Sequence, residues 1–174
     1  IKTASGSILN RRHVIHAFTI LAVTITCAGF IAQGFLVGLP KVISERVSLT
    51  GFEGISGTSS LVTLSLLVGA SGQLLGGRLA DRFSIKSVYL LMYVLMLPLA
   101  VSAAHLVDAP LVVAVAIFQL VMASSLPAEN CLVARFCPDG WHARAYGAKF
   151  VLALGVASLA VPVTGLIRDY TGGF

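Results

Sequence analysis

The chain has 174 residues, 57% of them hydrophobic and only 11% charged, with a formal net charge of +5. Soluble domains carry about 25% charged residues, so this composition, with a mean hydropathy of +0.94, excludes an ordinary soluble core and selects a chain whose partner is the lipid bilayer. The basic residues recur at alternate ends of apolar runs instead of gathering in one groove, which argues for membrane topology and against nucleic acid as a partner.

The apolar runs are continuous, not alternating, and so select helices over a barrel. Five spans are expected: 14–38, 56–77, 87–105, 110–128 and 147–167. Each is close to the ~20 residues that cross the hydrocarbon. The predicted fold class is therefore an all-α, multi-pass transmembrane helix bundle. Residues 1–13 are polar and read as a cytoplasmic linker; 14–174 read as one transmembrane domain, stopping before a last helix.

Span one carries Thr19, Thr26 and Gln33 at intervals of seven, which places them on one helix face. His13 and His16 lie at its start, where interfacial anchoring is expected. Span two carries Gly69, Gly72 and Gly76, and the last two form a GxxxG pair of the kind that lets helix backbones approach in lipid. Between spans two and three lies a charged stretch, Gly77-Arg78-Leu79-Ala80-Asp81-Arg82-Phe83-Ser84-Ile85-Lys86, in which Asp81 is expected near a helix N-terminus. Span four has polar Gln119, Ser124 and Ser125 in an apolar context and ends at Glu129, a carboxylate that needs a partner. Trp141 is expected in the interface belt. Span five carries Gly147, Gly155, Ser158 and Gly165 as packing residues, Pro162 as a kink, and Lys149 near one end, where it can snorkel to the headgroups.

Lysine and arginine set the orientation. Lys2, Arg11, Arg12, Arg78, Arg82, Lys86, Arg135, Arg144 and Lys149 fall on one side, and Lys41, Arg46 and Arg168 on the other. Nine against three puts the N-terminus in the cytoplasm and the protein in a cell or inner membrane. Cys27, Cys131 and Cys137 have neither disulfide nor zinc-ligand spacing, so no metal or other cofactor is expected.

The Gly77-x-Leu79-Ala80-Asp81-Arg82 run with Lys86 resembles the signature loop of the major facilitator superfamily (MFS) of transporters, which joins the second and third helices of a six-helix half. Ser84 and Ile85 depart from its second glycine and first paired basic residue, a degeneracy more usual in the C-terminal half. Pro127-Ala128-Glu129, then Arg144 with Gly147, resembles the end of the tenth helix and the start of the eleventh, and Gly165 to Gly172 resembles the exit of the eleventh. The resemblance implies helices seven to eleven of a permease that works with an N-terminal six-helix half outside this chain. It further implies secondary active transport of a small solute by alternating access. Gly77, Asp81, Arg82, Lys86, Glu129 and Arg144 would form a cytoplasmic gate, with Glu129 in salt-bridge reach of Arg78, Arg82 or Arg144. Thr26, Gln33, Gln119 and Ser124 are candidates to line the solute cavity.

Two other classes compete. Gly54-Ile55-Ser56-Gly57 and Gly69-Ala70-Ser71-Gly72 match the G-x-S-G of rhomboid-type intramembrane serine proteases, but no histidine lies mid-span to act as base, so an enzyme is not expected. A non-transporting membrane scaffold or inert fragment is the other alternative.

Overall fold

The computed structural model describes residues 11–49, 54–137 and 140–171. Among these, the chain is helical from end to end: α1 (Arg11–Arg46), α2 (Gly54–Arg82), α3 (Ile85–His105), α4 (Asp108–Phe136), α5 (His142–Phe150) and α6 (Ala160–Thr171). A π-helical stretch, Val151–Val156, and a 3₁₀ turn, Ala157–Leu159, join α5 to α6. Five helical segments are long and apolar enough to cross a membrane, the fifth running from His142 through the π and 3₁₀ stretches to Ile167. The first ten residues of the expected linker lie outside the described residues.

The helices outrun the expected spans. Pro40 and Pro127 sit inside α1 and α4 instead of ending them. Proline removes one hydrogen bond, and in a membrane helix the alternative to staying helical is several unsatisfied backbone groups, so the helix continues. Likewise α2 runs on to Arg82, because Arg78-Leu79-Ala80 are good helix formers and Arg82 suits the negative end of the macrodipole.

Cα packing divides the chain into two compact units, one built from residues up to Gly38 together with those from Cys131 onward, the other from Leu39–Asn130. The second unit is organised by a stripe of small residues on α2, in which Gly57, Leu61, Ser65, Gly69, Gly72 and Gly76 are buried. A Cβ at Gly72 would overlap the Leu120 carbonyl oxygen, and one at Gly76 the Ser124 carbonyl oxygen, so the α2 and α4 backbones touch. Ser124 closes the seam: its hydroxyl lies 2.8 Å from the Gly72 carbonyl oxygen and 2.7 Å from that of Leu120. On the α3 side, Val88 and Met92 pack against Val121 and Ala128, with Ile85, Tyr89 and Met96 around them.

In the first unit the fifth span packs against α1. A Cβ at Gly29 would sit 2.6 Å from the Ala153 carbonyl oxygen, and one at Gly34 3.5 Å from Thr164 Oγ1. Ala157 and Ala160 on the same face are fully buried. This corrects the expected packing face: Gly147 and Gly165 have open space where a Cβ would stand, and at Gly155 only its own helix's Val151 comes near. The irregularity lies ahead of Pro162, not at it. Proline offers no N–H to the Ser158 carbonyl and its ring crowds that oxygen, so the preceding turns loosen and tighten. The Ser158 hydroxyl bonds the Gly155 carbonyl at 2.6 Å within this distorted stretch.

Gly72→Ala and Gly76→Ala should each lower stability by about 1–3 kcal/mol through backbone overlap, read as a lower thermal midpoint in detergent. Gly77→Ala, which meets nothing within 4 Å, should leave the midpoint unchanged or raise it, because alanine favours the helix by about 1 kcal/mol.

Candidate functional site

Most of the charged stretch is helical. Gly77, Asp81 and Arg82 belong to the last turns of α2, and only Phe83 and Ser84 separate it from α3. Asp81 therefore stands at the C-terminal end of α2, not at a helix N-terminus, which corrects the expected macrodipole contact. Both departures from the resembled loop have structural uses. Ser84 is the N-cap of α3: its Oγ accepts the Ser87 N–H at 3.3 Å and lies 2.6 Å from the Ser87 hydroxyl. Ile85 packs against the Val88–Met92 cluster. Arg78, Asp81, Arg82 and Lys86 are all exposed at this end.

Glu129 lies in the same unit but is only 3% exposed. It sits seven residues before the end of α4, about 10 Å along the helix. The Tyr93 hydroxyl lies in the field of its carboxylate, reaches the Ser125 side chain, and accepts a 3.4 Å bond from the Tyr89 hydroxyl. The two tyrosine rings meet edge to face, with centroids 4.7 Å apart. No pairing of Glu129 with α3 was expected from the sequence; Tyr89 and Tyr93, one helical turn apart, were the available signal. Every fully buried side-chain nitrogen and oxygen among the described residues has a hydrogen-bond partner, as burial in lipid demands.

The cavity candidates fall into two groups. Ser124 is fully buried and Gln119 is 4% exposed. Gln119 packs over Gly69, where a Cβ would sit 3.1 Å from its own. Both belong to the α2–α4 seam, where the Ser124 hydroxyl is engaged. Thr26 and Gln33 are half-buried on α1, the Thr26 hydroxyl bonding the Ala22 carbonyl at 2.8 Å. In the first unit Arg144 lies over the exposed Trp141 ring, 4.8 Å from its centroid, a favourable cation–π geometry. Lys149 corrects another expectation: at 6% exposure it does not snorkel outward but is buried, beside an apolar cleft formed by Phe18, Leu21, Ile25 and Val133.

Ser71 of the second G-x-S-G donates to the Val68 carbonyl at 2.6 Å. His105 and His142 stand at helix ends, so neither occupies the mid-span position of a base.

The opposite end of the second unit is clipped by two contacts. Arg46 Nη1 lies 2.7 Å from the Ala104 carbonyl oxygen at the end of α3. The Asp108 carboxylate accepts both the N–H and the hydroxyl of Ser48, at 2.8 and 2.9 Å. Asp108 holds φ at +54° to do so, a left-handed conformation that costs most residues about 1–2 kcal/mol.

The profile of the Major Facilitator Superfamily matches residues 2–172. The chain belongs to that superfamily. No curated protein and no solved structure matches it. Membership and the five apolar helices make this an integral membrane protein of a transporter family.

Asp108→Ala should be less stable than Asp108→Gly. Both lose the Ser48 contacts, but only glycine relaxes at φ +54°. Comparing thermal midpoints of the two variants in detergent checks the order.

Proposed function

We propose that this MFS chain is the bulk of the C-terminal half of a secondary permease, helices seven to eleven, carrying a small solute by alternating access with an N-terminal six-helix half. The observation that carries this reading is the juxtaposition at one end of the second unit: a buried carboxylate, Glu129, and an exposed charged turn, Gly77 to Lys86. Charges placed at the surface beside a buried carboxylate can pair in one arrangement of two halves and part in another, which is what a gate needs. Asp81, Arg82, Lys86, Glu129 and Arg144 are assigned to that gate, and Gly77 leaves room for close approach at the turn. The gate end faces the cytoplasm, as the nine-to-three distribution of basic residues supports, and the membrane is the cell or inner membrane.

The solute site lies near the bilayer midplane between the two halves. On this chain Thr26 and Gln33 are assigned to contact the solute, while Gln119 and Ser124 brace the α2–α4 seam. Gradient energy reaches the solute through rocking of one half against the other.

The test is counterflow of labelled solutes by the whole transporter in proteoliposomes. Once a solute is found, Asp81→Asn and Glu129→Gln should each slow counterflow by about tenfold or more, equivalent to about 1.4 kcal/mol in the rate-limiting step. Gln33→Ala should raise KM with kcat little changed, the mark of lost ground-state binding. Wild-type counterflow in both gate variants would sink the gate. Vectorial uptake by the 174 residues alone would sink the two-half reading.

A further inference from the structure

The end of the second unit opposite the charged turn carries a cavity of about 570 Å³, inside the 300–1,000 Å³ range of small-molecule sites. It lies between the C-terminal end of α1 and the first turns of α2. Its walls include four hydroxyl residues, Ser44, Ser48, Thr58 and Ser59, and the apolar Val47 and Ile55.

The hydroxyls share one property. Ser44 donates to the Lys41 carbonyl at 2.8 Å, Thr58 to the Gly54 carbonyl at 3.1 Å, and Ser59 to the Ile55 carbonyl at 2.8 Å. Ser48 donates to the Asp108 carboxylate at 2.9 Å. A hydroxyl has one hydrogen and two lone pairs. With all four hydrogens engaged, these side chains offer a ligand only acceptors. The acceptor at Ser48 is the strongest, because a hydroxyl that donates to an anion is polarised toward its own oxygen. The C-terminal end of α1 brings the negative pole of a 36-residue helix and the first turn of α2 a positive one, so the two poles offset and the side-chain oxygens decide the sign. Among the described residues at this end, Lys41 pairs with Glu45 at 2.9 Å, and Arg46 reaches the Ala104 carbonyl.

We propose that this cavity binds a small organic ammonium ion. An ammonium group donates and never accepts, so it matches a wall of acceptors with Asp108 behind it. Its alkyl part matches Val47 and Ile55. An anion would find no donor among the four hydroxyls. As a statement about the solute carried, this rests on the transport reading; binding itself does not.

The experiment reads binding without transport. In a background with Cys27→Ser, Cys131→Ser and Cys137→Ala, Ser59→Cys places a thiol on the α2 wall, Ser44→Cys places one on the α1 wall, and Ser87→Cys serves as a control at the far end. The probe is n-butylammonium, with butyrate as its anionic counterpart. At ten times its Kd, n-butylammonium should slow maleimide modification of the Ser59→Cys and Ser44→Cys thiols by about tenfold, and leave the control rate unchanged. Adding Thr58→Val, which removes one acceptor without changing shape, should raise the half-protecting concentration by about tenfold. Unprotected thiols on both walls, equal protection by butyrate, or slowing of the control would overturn the assignment. Counterflow of solutes would stand or fall separately.

Discussion

The contact on which the second unit depends is the meeting of α2 and α4 along Gly69, Gly72 and Gly76. Lipid is as apolar as leucine, so burying side chains does not by itself hold two helices together there. What remains is close packing and hydrogen bonding, and Ser124 supplies the second at the point where Gly72 permits the first. The seam also fixes the rotation of α4. With Leu120 and Ser124 turned to α2, the helical period turns Val121, Ser125 and Ala128 toward α3. Glu129 follows Ser125 by one turn and so falls beside Tyr93. A rotation of α4 by a single residue, about 100°, would carry the carboxylate away from Tyr93. The small-residue stripe, which touches no charge, is therefore what positions the buried charge.

Much of this was legible because it obeys rules of period and composition. The number of spans follows from apolar runs, and the α2 seam follows from the GxxxG spacing of Gly72 and Gly76. The helix ends were not legible. Pro40 and Pro127 are stop signals for a helix in water, where released backbone groups find solvent. In a membrane they do not, and α1 and α4 run through both. Charge marks no end for α2 either: Arg78-Leu79-Ala80 are good helix formers and carry it on to Arg82.

The fifth span shows a different limit. It has two faces of small residues, one with Gly147, Gly155 and Gly165 and one with Ala153, Ala157 and Ala160. Period alone does not say which meets a neighbour. The backbone approach at Gly29 selects the alanine face. Lys149 was misjudged for a related reason. Snorkelling is a property of one side chain at an interface, whereas burial is decided by neighbours distant in sequence, here Phe18, Leu21 and Val133. The same holds for Asp108, whose acceptor role depends on Ser48, sixty residues earlier. Pairings of this kind leave no mark in local sequence.

The treatment of hydroxyls bears on what such a bundle can recognise. Thr24, Thr26, Ser60, Thr63, Ser65, Ser71, Ser102 and Thr164, like Ser44, Thr58 and Ser59 of the cavity wall, each donate to a backbone carbonyl three or four residues back. In a low-dielectric medium a free O–H is costly, so the hydrogen turns inward to the nearest carbonyl. A polar residue on a membrane helix then presents itself to a solute as an acceptor. Donors must come from elsewhere: from amides such as Gln33 or from the cations. Counting serines and threonines in a span as generic hydrogen-bonding groups overstates what it offers an anion and understates its bias toward cations. Recognition of an anionic solute by this chain would have to rest on its few cationic and amide side chains, and recognition of a cationic one on its many hydroxyl oxygens.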